Sequence, residues 1–455
     1  MNHNKTWIFY SISAVGLLGL VIGRAVGALF PTAGSTELEE LMVRVKRLVE
    51  ERYVADLEED ELVYETLRSM LGSLDQYSRF YDPSELQRLD EDTNNEYVGV
   101  GFGADAAHPD QVVVNYPFRG SPALTGGLRP GDRVVAVEGE SVLELPQIDV
   151  IQKIRGEQGT EVTLTILRPS GEEVTMRLER QIIRNPAIED AHLVADGIGY
   201  LWVETFDPGL VAEFDAAMDD LLAQGATSLI LDLRFNAGGT VESAVSLANR
   251  FIGKGLLAST RGRYERSDQQ EYRAVAEGLR HPDLPLVVLV NAHSASASEI
   301  FAGAIQDHRR GILLGSRTFG KGVIQSLLTL PRSQVAVKLT TAAYYTPAGR
   351  AIERQIGVAE SNGRRGGLIP DVTFPVDTRE MQRIWRQMLW LDIPAEVRDE
   401  ALDRYRARAE DPSIYETVSD RQIEAAIELL RGEPVVTPLV DSGTEAPVDE
   451  AAEDR

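Results

Sequence analysis

Hydrophobic residues recur at helical spacing near the start of the chain. Leu41, Val45 and Leu48 lie three or four positions apart, which predicts an amphipathic helix. The polar and acidic residues before this stripe are typical of a helix N-terminus. A second helix is predicted at about 61–71, so we interpret the segment 35–90 as helical.

The apolar pattern changes twice after this segment. Within 91–184, short runs of strand-forming residues are separated by glycine and proline turns, which predicts a small β-rich domain. Within 185–375, apolar runs of strand length alternate with helical patterns, which predicts an α/β core whose sheet is covered by helices. The predicted strands of this core are 199–206, 228–233, 286–291, 312–315 and 335–341, and its predicted helices are 209–222, 241–251 and 298–308.

The N-terminal end carries a different signal. An apolar run at 7–23 lies between Lys5 and Arg24, near the lower length limit of a membrane span and long for a cleaved signal core. We interpret 1–34 as an uncleaved signal anchor or transmembrane segment, with the body of the protein outside the cytoplasm, in the periplasm. A cleaved secretory peptide is the alternative, and it keeps the same compartment.

The C-terminal end is predicted to contain two segments. Helical periodicity returns at 376–432, and the acidic, proline-containing residues 433–455 predict a disordered tail. A chain of 455 residues is too long for one ordinary core, so two or three domains are expected.

The composition excludes several classes of function. Hydrophobic residues at 43% and charged residues at 26% are typical of a globular protein. The net charge of −25 argues against nucleic acid as a partner, because phosphate binding needs a basic surface. The chain has no cysteine, which excludes disulfides, thiolate metal sites and a cysteine nucleophile.

Three serines alternate with alanines where a predicted strand meets a predicted helix. They are Ser294, Ser296 and Ser298. Ordinary helix capping accounts for only one of them. A serine at a helix N-terminus lies beside backbone N–H groups that can stabilise a developing oxyanion, so a nucleophilic serine is predicted here.

A nucleophilic serine needs a base, and Lys321 is the candidate. It lies between Gly320 and Gly322 in an apolar context, and full burial lowers a lysine pKa by as much as ~3–5 units. An exposed lysine in a glycine turn is the alternative. The histidine candidates, His293 and His308, have no matched acid at a recognisable spacing. A Ser–Lys pair needs neither histidine nor metal, and no cofactor is predicted.

Two further motifs allow more than one interpretation. The segment 232–239 ends a strand in a glycine pair, where backbone N–H groups can face a substrate oxygen, but a simple strand-to-helix turn is the alternative. The segment 315–321 matches the start of a phosphate-binding loop, G-x-x-x-x-G-K. Gly322 then stands where serine or threonine should hold magnesium, and the following run is typical of a strand rather than the required helix.

The β-rich domain has a glycine motif at its start. Gly99, Val100, Gly101 and Phe102 resemble a loop whose backbone N–H groups receive a peptide C-terminal carboxylate. The segment 121–132 resembles the helix–turn–Gly-Asp element of PDZ domains.

Together these motifs resemble those of carboxyl-terminal processing peptidases, the tail-specific protease group of family S41. The segments that carry the resemblance are 75–83, 99–102, 127–132, 232–239, 294–300, 306–307, 318–322 and 344–350. The resemblance implies a ClpP/crotonase-like core of layered sheet and helices with an inserted PDZ domain. The chain departs from the family pattern at Ala237, where proline is common, and in a longer loop after Arg350.

The family's site residues carry over to particular positions of this chain. The resemblance implies Ser296 as nucleophile, Lys321 as base and Gln325 as the residue that orients the amine. It also implies an oxyanion hole formed by the amides of Gly238 and Ala297. Gly99, Val100, Gly101 and Phe102 are the implied substrate-binding residues.

The function expected from the sequence is serine endopeptidase activity, independent of ATP, on the C-termini of extracytoplasmic proteins. The expected partners are protein or peptide substrates with apolar C-termini, and the membrane through 1–34. The sequence leaves open a homo-oligomer or an adaptor protein. A non-catalytic PDZ scaffold is the alternative function.

Overall fold

The computed structural model describes residues 37–437, except 56–58, 87–88, 90–95, 106, 264–268, 331–333, 354–365, 392 and 410. The predicted anchor at 1–34 and most of the predicted acidic tail therefore lie outside the described residues. None of the described helices combines the length and the apolar character needed to cross a membrane. The chain divides into two compact units after Met70.

The helices predicted near the start of the chain are present. They are α1 (Glu37–Arg52) and α2 (Glu59–Gly72). Acidic residues occupy the first turn of α1, where they complement the positive end of the helix dipole. The apolar residues Leu41, Val45 and Leu48 of α1 are exposed.

Strands are numbered in chain order. Among the described residues the main sheet contains six of them, which lie side by side in the order of their numbers. Their bounds are β10 (Ile188–Ala195), β11 (Ile198–Val203), β12 (Ser228–Asp232), β15 (Leu286–Val290), β16 (Ile312–Gly315) and β19 (Val372–Thr373). Of the neighbouring pairs in these described strands, β10 and β11 are antiparallel and the others are parallel. Every residue of β11, β12 and β15 is buried, as expected for parallel strands covered on both faces.

Helices cover both faces of this sheet. Leu229 and Leu231 face one cluster with α5 (Leu210–Ala223), α6 (Val241–Asn249) and α7 (Ala297–Asp307). Ile230 faces the opposite cluster, to which α8 (Thr378–Leu389) and α10 (Arg421–Arg431) contribute. The predicted strand–helix alternation is thus confirmed, and the C-terminal helices complete the second layer.

A second sheet lies in the same unit. It contains β1 (Arg79–Tyr81), β13 (Leu256–Gly262), β14 (Gln270–Arg273), β17 (Val323–Leu330) and β18 (Val335–Tyr345). The strand β1 pairs with β18, so the segment interpreted as helical at 35–90 also contributes a strand. Periodicity could not reveal this strand, because three residues are too few to show a period and the partner strand lies far along the chain.

The β-rich domain has its own apolar core. Its strands are β2 (Glu96–Gly99), β3 (Phe102–Ala104), β4 (Val114–Pro117), β5 (Arg133–Val137), β6 (Glu140–Ser141), β7 (Glu161–Leu167), β8 (Glu173–Glu179) and β9 (Gln181–Arg184), and its helices are α3 (Pro122–Thr125) and α4 (Gln147–Ile154). In β7, buried residues alternate with more exposed ones, as expected for a sheet with one face on the core.

The helix α9 (Ala395–Arg408) connects the C-terminal segment to the β-rich domain. Val397 and Ala401 form a small apolar cluster with Tyr116. Tyr405 Oη donates to Asn115 Oδ1 at 2.6 Å. The C-terminal helices therefore contact both the main sheet and the β-rich domain.

Candidate active site

Ser296 lies where a strand of the main sheet meets a helix. The strand β15 ends at Val290, and α7 begins at Ala297, so Ser296 is the N-cap of α7. Its backbone has φ 54° and ψ −113°, a conformation that residues other than glycine rarely adopt. Such strain persists only where surrounding contacts hold it, and it is concentrated at functional sites. Ser296 is half-buried at this strained helix N-terminus.

The two neighbouring serines have other partners. Ser294 Oγ donates to the carbonyl of Leu233 at 2.8 Å. Ser298 Oγ lies 2.9 Å from both the carbonyl oxygen and Oδ1 of Asn236. Both serines are fully buried, whereas Ser296 is more exposed. The geometry assigns Ser294 and Ser298 to holding the turn and favours Ser296 as the serine that a substrate can reach.

The glycine pair after β12 packs directly on this turn. Gly238 has φ 113°, and a Cβ placed there would lie 2.8 Å from Ser296 Cβ and 3.0 Å from the amide nitrogen of Ala297. Only glycine fits this close approach. The two residues of the predicted oxyanion hole, Gly238 and Ala297, are therefore neighbours. The N–H of Gly238 donates to Asn236 Oδ1 at 2.8 Å in this conformation.

Lys321 lies in the connection from β16 of the main sheet to β17 of the second sheet. Its Nζ is 4.8 Å from the centre of the Tyr77 ring, a distance typical of a cation–π contact. At Gly322, a Cβ would lie 2.1 Å from the backbone nitrogen of Glu353, so the chain passes too close for any side chain. This glycine lets the lysine loop pack tightly, and the lysine itself is half-buried.

One carboxylate joins the serine turn to the lysine loop. Glu299 Oε2 accepts hydrogen bonds from the N–H of Ser296 at 3.0 Å and from the N–H of Lys321 at 2.9 Å. Its other oxygen accepts from Thr318 Oγ1 at 2.5 Å and from the N–H of Gly320 at 2.8 Å. The backbone nitrogens of Ser296 and Lys321 are thus separated by no more than the sum of two hydrogen-bond lengths.

Glu299 is a residue that reasoning from the sequence missed. Burial raises its pKa to about 7, although its four hydrogen bonds act in the opposite direction. A carboxylate that accepts four donors is best satisfied when it is ionised. A signal was present, because Ser296 and Glu299 have the spacing of a capping box, in which the acid accepts from the N-cap amide.

The segment 75–83 supports the lysine loop from the second sheet. Asp75 accepts from the N–H groups of Tyr77 and Ser78, which lowers its pKa even though burial acts to raise it. Ser78 Oγ accepts from the N–H of Thr340 in β18. This turn places the Tyr77 ring beside the lysine, a contact that the sequence did not reveal.

Gln325 lies in β17, next to a register shift in its pairing with β18. Its Nε2 is buried and has no hydrogen-bond partner among the described residues. An unpaired amide donor close to the lysine loop is available for a substrate or for rearrangement of the site. The role of Gln325 in orienting the amine stays a prediction.

The alternatives weighed from the sequence find no support at this site. The His293 ring stacks on Phe235 at 5.5 Å, and burial lowers its pKa. The His308 ring lies 2.7 Å from the carbonyl oxygen of Leu256. The segment after Lys321 is the strand β17, whereas a phosphate-binding loop of the G-x-x-x-x-G-K type needs a helix there.

The predicted peptide-binding loop connects two strands of the β-rich domain. Gly99 ends β2 and Phe102 begins β3. Val100 is buried between them, and Gly101 has φ 83°, a conformation that glycine adopts without strain. Phe102 packs against the same apolar cluster as the residues of α4.

Two carbonyl oxygens of this loop accept hydrogen bonds from the supporting segment 121–123. The Val100 oxygen accepts from the N–H of Ala123 at 2.8 Å, and the Gly101 oxygen accepts from Ser121 Oγ at 2.8 Å. In a trans peptide the N–H points opposite to the carbonyl. The N–H groups of Gly101 and Phe102 therefore point away from the supporting segment, as a carboxylate-binding loop requires.

Two family models match the chain. The model of peptidase family S41 matches residues 197–373, which include the serine turn and the lysine loop. The model of the PDZ domain matches residues 113–168, within the β-rich domain.

Named relatives and a solved structure are also similar. The carboxy-terminal-processing protease of Bartonella bacilliformis is 33% identical over 310 residues, which cover 67% of this chain and 70% of that protein. The carboxyl-terminal-processing protease of Synechocystis sp. is 31% identical over 404 residues, which cover 82% and 92%. The structure of the photosystem II D1 C-terminal processing protease is 30% identical, covers 75% of this chain and 94% of that chain, and has a TM-score of 0.42.

Proposed function

Because this chain belongs to peptidase family S41 and is a serine-type peptidase of the carboxyl-terminal processing group, we propose that it cleaves proteins near their C-termini through Ser296 and Lys321. The observation that carries this proposal is the shared acceptor Glu299 Oε2, which keeps the backbones of the two residues together. The six-stranded sheet with helices on both faces supports a ClpP/crotonase-like core.

The proposed reaction has two steps. The neutral amine of Lys321 takes the proton of Ser296 Oγ as that oxygen attacks the peptide carbonyl, and the resulting ammonium gives the proton to the leaving amine. Water then attacks the acyl-enzyme with the amine again as base, and the ammonium returns the proton to Ser296 Oγ as the new C-terminal carboxyl group is released. The negative oxygen of each tetrahedral intermediate is stabilised by the amides of Gly238 and Ala297 and by the N-terminal end of α7.

Two features of the site must change as substrate binds. The N–H of Gly238 donates to Asn236 Oδ1 and has to turn toward the oxyanion. Lys321 faces the Tyr77 ring, whose negative face favours the charged amine. A substrate that displaces water from the site favours the neutral amine, because desolvation disfavours the ammonium.

The PDZ domain captures the substrate in this proposal. The N–H groups of Gly101 and Phe102 bind the C-terminal carboxylate, and the peptide pairs with β3 as an added strand. Apolar side chains of the peptide contact the cluster that includes Phe102 and α4. Captured chains are thus delivered to Ser296 by their C-termini.

We place the catalytic body outside the cytoplasm, in the periplasm, with residues 1–34 as the membrane anchor. The support for this placement is the apolar run at 7–23 between Lys5 and Arg24. Its test is fractionation of cells that produce the full chain, followed by protease treatment from the periplasmic side. Degradation of the body in intact spheroplasts is expected, and full protection contradicts the placement.

Cleavage of an unfolded protein such as casein tests the catalytic assignment. Ser296→Ala and Lys321→Ala are expected to abolish cleavage by the purified full chain. Ser170→Ala and Lys254→Ala are matched controls at exposed positions, and they are expected to cleave normally. Normal turnover by Ser296→Ala contradicts the proposal. An inactive wild type that still binds an apolar C-terminal peptide favours the non-catalytic scaffold.

A further inference from the structure

We propose that Asp420 and Gln422, at the start of α10 in the C-terminal helical segment, are positioning residues for the active site. They hold Arg234, and through Arg234 they hold the loop 233–239 that rests on Ser296. This inference rests on the proposed role of Ser296, and it assigns a part in the reaction to helices that lie outside the matched family region.

Arg234 is fully buried and has a dense set of acceptors. Its Nε lies 3.0 Å from each carboxylate oxygen of Asp232, and its Nη2 lies 2.6 Å from Asp232 Oδ2. Tyr200 Oη also donates to Asp232 Oδ2, at 2.9 Å. Arg234 and Asp232 thus form one hydrogen-bonded pair at the end of β12.

The remaining acceptors for Arg234 come from α10. Nη1 donates to Gln422 Oε1 at 3.0 Å, and Nη2 lies 2.7 Å from Asp420 Oδ2. Although burial disfavours the charge, Asp232 and Asp420 raise the pKa of the Arg234 guanidinium well above its ordinary value. A buried cation keeps its place only while its partners remain, so the position of Arg234 depends on α10.

The loop after Arg234 connects this residue to the serine turn through hydrogen bonds and packing. The N–H of Phe235 donates to Asn291 Oδ1 at 3.1 Å. Asn236 Oδ1 accepts from the N–H of Gly238 and from Ser298 Oγ. Gly238 in turn lies against Ser296. Phe235, Asn236 and Gly238 are thus each held by a neighbouring segment. A shift of Arg234 is therefore expected to move the predicted oxyanion donor.

Helix capping alone does not explain the residues at the start of α10. Asp420 Oδ1 accepts from the N–H groups of Gln422 and Ile423, which satisfies the cap. The second oxygen, Oδ2, is directed at Arg234. Gln422 is fully buried, and its Nε2 donates to the carbonyl of Phe374 at 2.6 Å while its oxygen accepts from Arg234.

Asp420→Asn separates the two roles of the cap residue. Asparagine caps helices as well as aspartate does, but it removes the negative charge that faces Arg234. Asp377→Asn is the matched control, because Asp377 caps α8 in the same segment by accepting from the N–H of Glu380. Both variants are made in the full chain and compared with wild type at a temperature well below unfolding.

Hydrogen exchange of the peptide covering 233–239 gives a readout that does not depend on activity. We expect exchange to become faster by about 10-fold or more in Asp420→Asn and to stay unchanged in Asp377→Asn. For casein cleavage we expect kcat to fall on the order of 10- to 100-fold in Asp420→Asn with KM nearly unchanged, since small misplacements of catalytic groups cost this much.

The outcomes separate this inference from the proposed function. Equal exchange and equal kcat in Asp420→Asn and Asp377→Asn overturn the positioning role. Activity that persists in Ser296→Ala overturns the catalytic assignment instead, while the exchange result still decides the link to α10. If Asp420→Asn does not fold, Gln422→Met replaces it, because methionine keeps the size and removes the acceptor for Arg234. Unchanged exchange at 233–239 in that variant overturns the inference.

Discussion

The serine turn and the lysine loop, which together form the proposed active site, are held by different parts of the structure. Ser296 follows a strand that is buried between two layers of helices. Lys321 lies in a connection that leaves this sheet for the second sheet. The proposed nucleophile is therefore positioned by the packed core, whereas the proposed base is positioned by contacts that a loop makes with its surroundings.

The hydrogen bonds reflect the same difference. On the serine side, Ser294 and Ser298 anchor the turn to the loop after β12. On the lysine side, the carboxylate of Glu299 accepts from two consecutive backbone amides. Changes on the serine side should therefore cost stability, and changes on the lysine side should mainly cost geometry and activity.

The largest expected effect is that of Lys321→Arg. Arginine keeps the positive charge beside Tyr77, but its pKa lies so far above neutral pH that it cannot act as a base. We expect kcat for casein to fall by more than ~10³-fold, as for the loss of a catalytic nucleophile or base. Thermal unfolding should change little. Lys254→Arg at an exposed position is the control. Retained cleavage by Lys321→Arg would show that this lysine acts only as a charge.

The next largest effect is expected for Glu299→Gln. A glutamine offers one acceptor oxygen, and its NH₂ group then faces donors that the carboxylate satisfied. We expect kcat to fall on the order of 10²-fold with a smaller change in KM, because the serine turn and lysine loop lose their common anchor. Steady-state cleavage of a fluorogenic peptide measures both constants. A change confined to KM would assign Glu299 to substrate binding instead.

The pH dependence of stability follows from the same carboxyl group. The pKa of Glu299 is raised from its ordinary 4.5 to about 7 in the folded chain by burial. The folded state therefore binds this proton more tightly, and the resulting stability is complete below about pH 4.5 and lost as pH rises through about 7. The loss amounts to roughly 3 kcal/mol in the free energy of unfolding.

Urea unfolding at pH 5 and pH 8 measures this contribution. Wild type should lose more stability than Glu299→Gln between these two values, because glutamine does not titrate. Activity should change in the opposite direction, since the ionised carboxylate is the form that accepts all four donors. An equal pH dependence in wild type and variant would contradict the raised pKa.

A smaller effect, on stability, is expected for Ser298→Ala. The substitution leaves both acceptors of Asn236 without this buried donor, at a cost of about 1–3 kcal/mol in the free energy of unfolding. Activity per folded molecule should remain far above that of Ser296→Ala. The exposed Ser170→Ala serves as the reference for an ordinary serine substitution. Complete loss of cleavage in folded Ser298→Ala would place the nucleophile at this serine.

The smallest expected effect is that of Tyr77→Leu. Leucine keeps an apolar neighbour for Lys321 but removes the ring face that favours the ammonium, an interaction of about 0.5–2 kcal/mol. The rising limb of the activity–pH profile should therefore move toward lower pH by about 0.4–1.5 units. Tyr77→Phe keeps the ring and should leave the profile in place. A shift of equal size in both variants would assign the effect to the hydroxyl.

Short-range patterns of the sequence were sufficient for much of the fold. The buried strand before the serines, the helix after them and the strand after Lys321 are all local features, and each was predicted from apolar runs and turn residues. Composition likewise excluded cysteine chemistry, and the motifs identified the family before any geometry was known.

The tertiary structure alone decided which distant residues meet. The turn that places Tyr77 beside Lys321 is joined to the second sheet by the pairing of β1 with β18. The partners of Arg234 come from a helix near the end of the chain. Glu299 accepts hydrogen bonds from the N–H of Ser296, which is close to it in the chain, and from the N–H of Lys321, which is distant in the chain. Such contacts leave no periodic trace in the sequence, because they depend on how layers pack and not on the spacing of residues within an element.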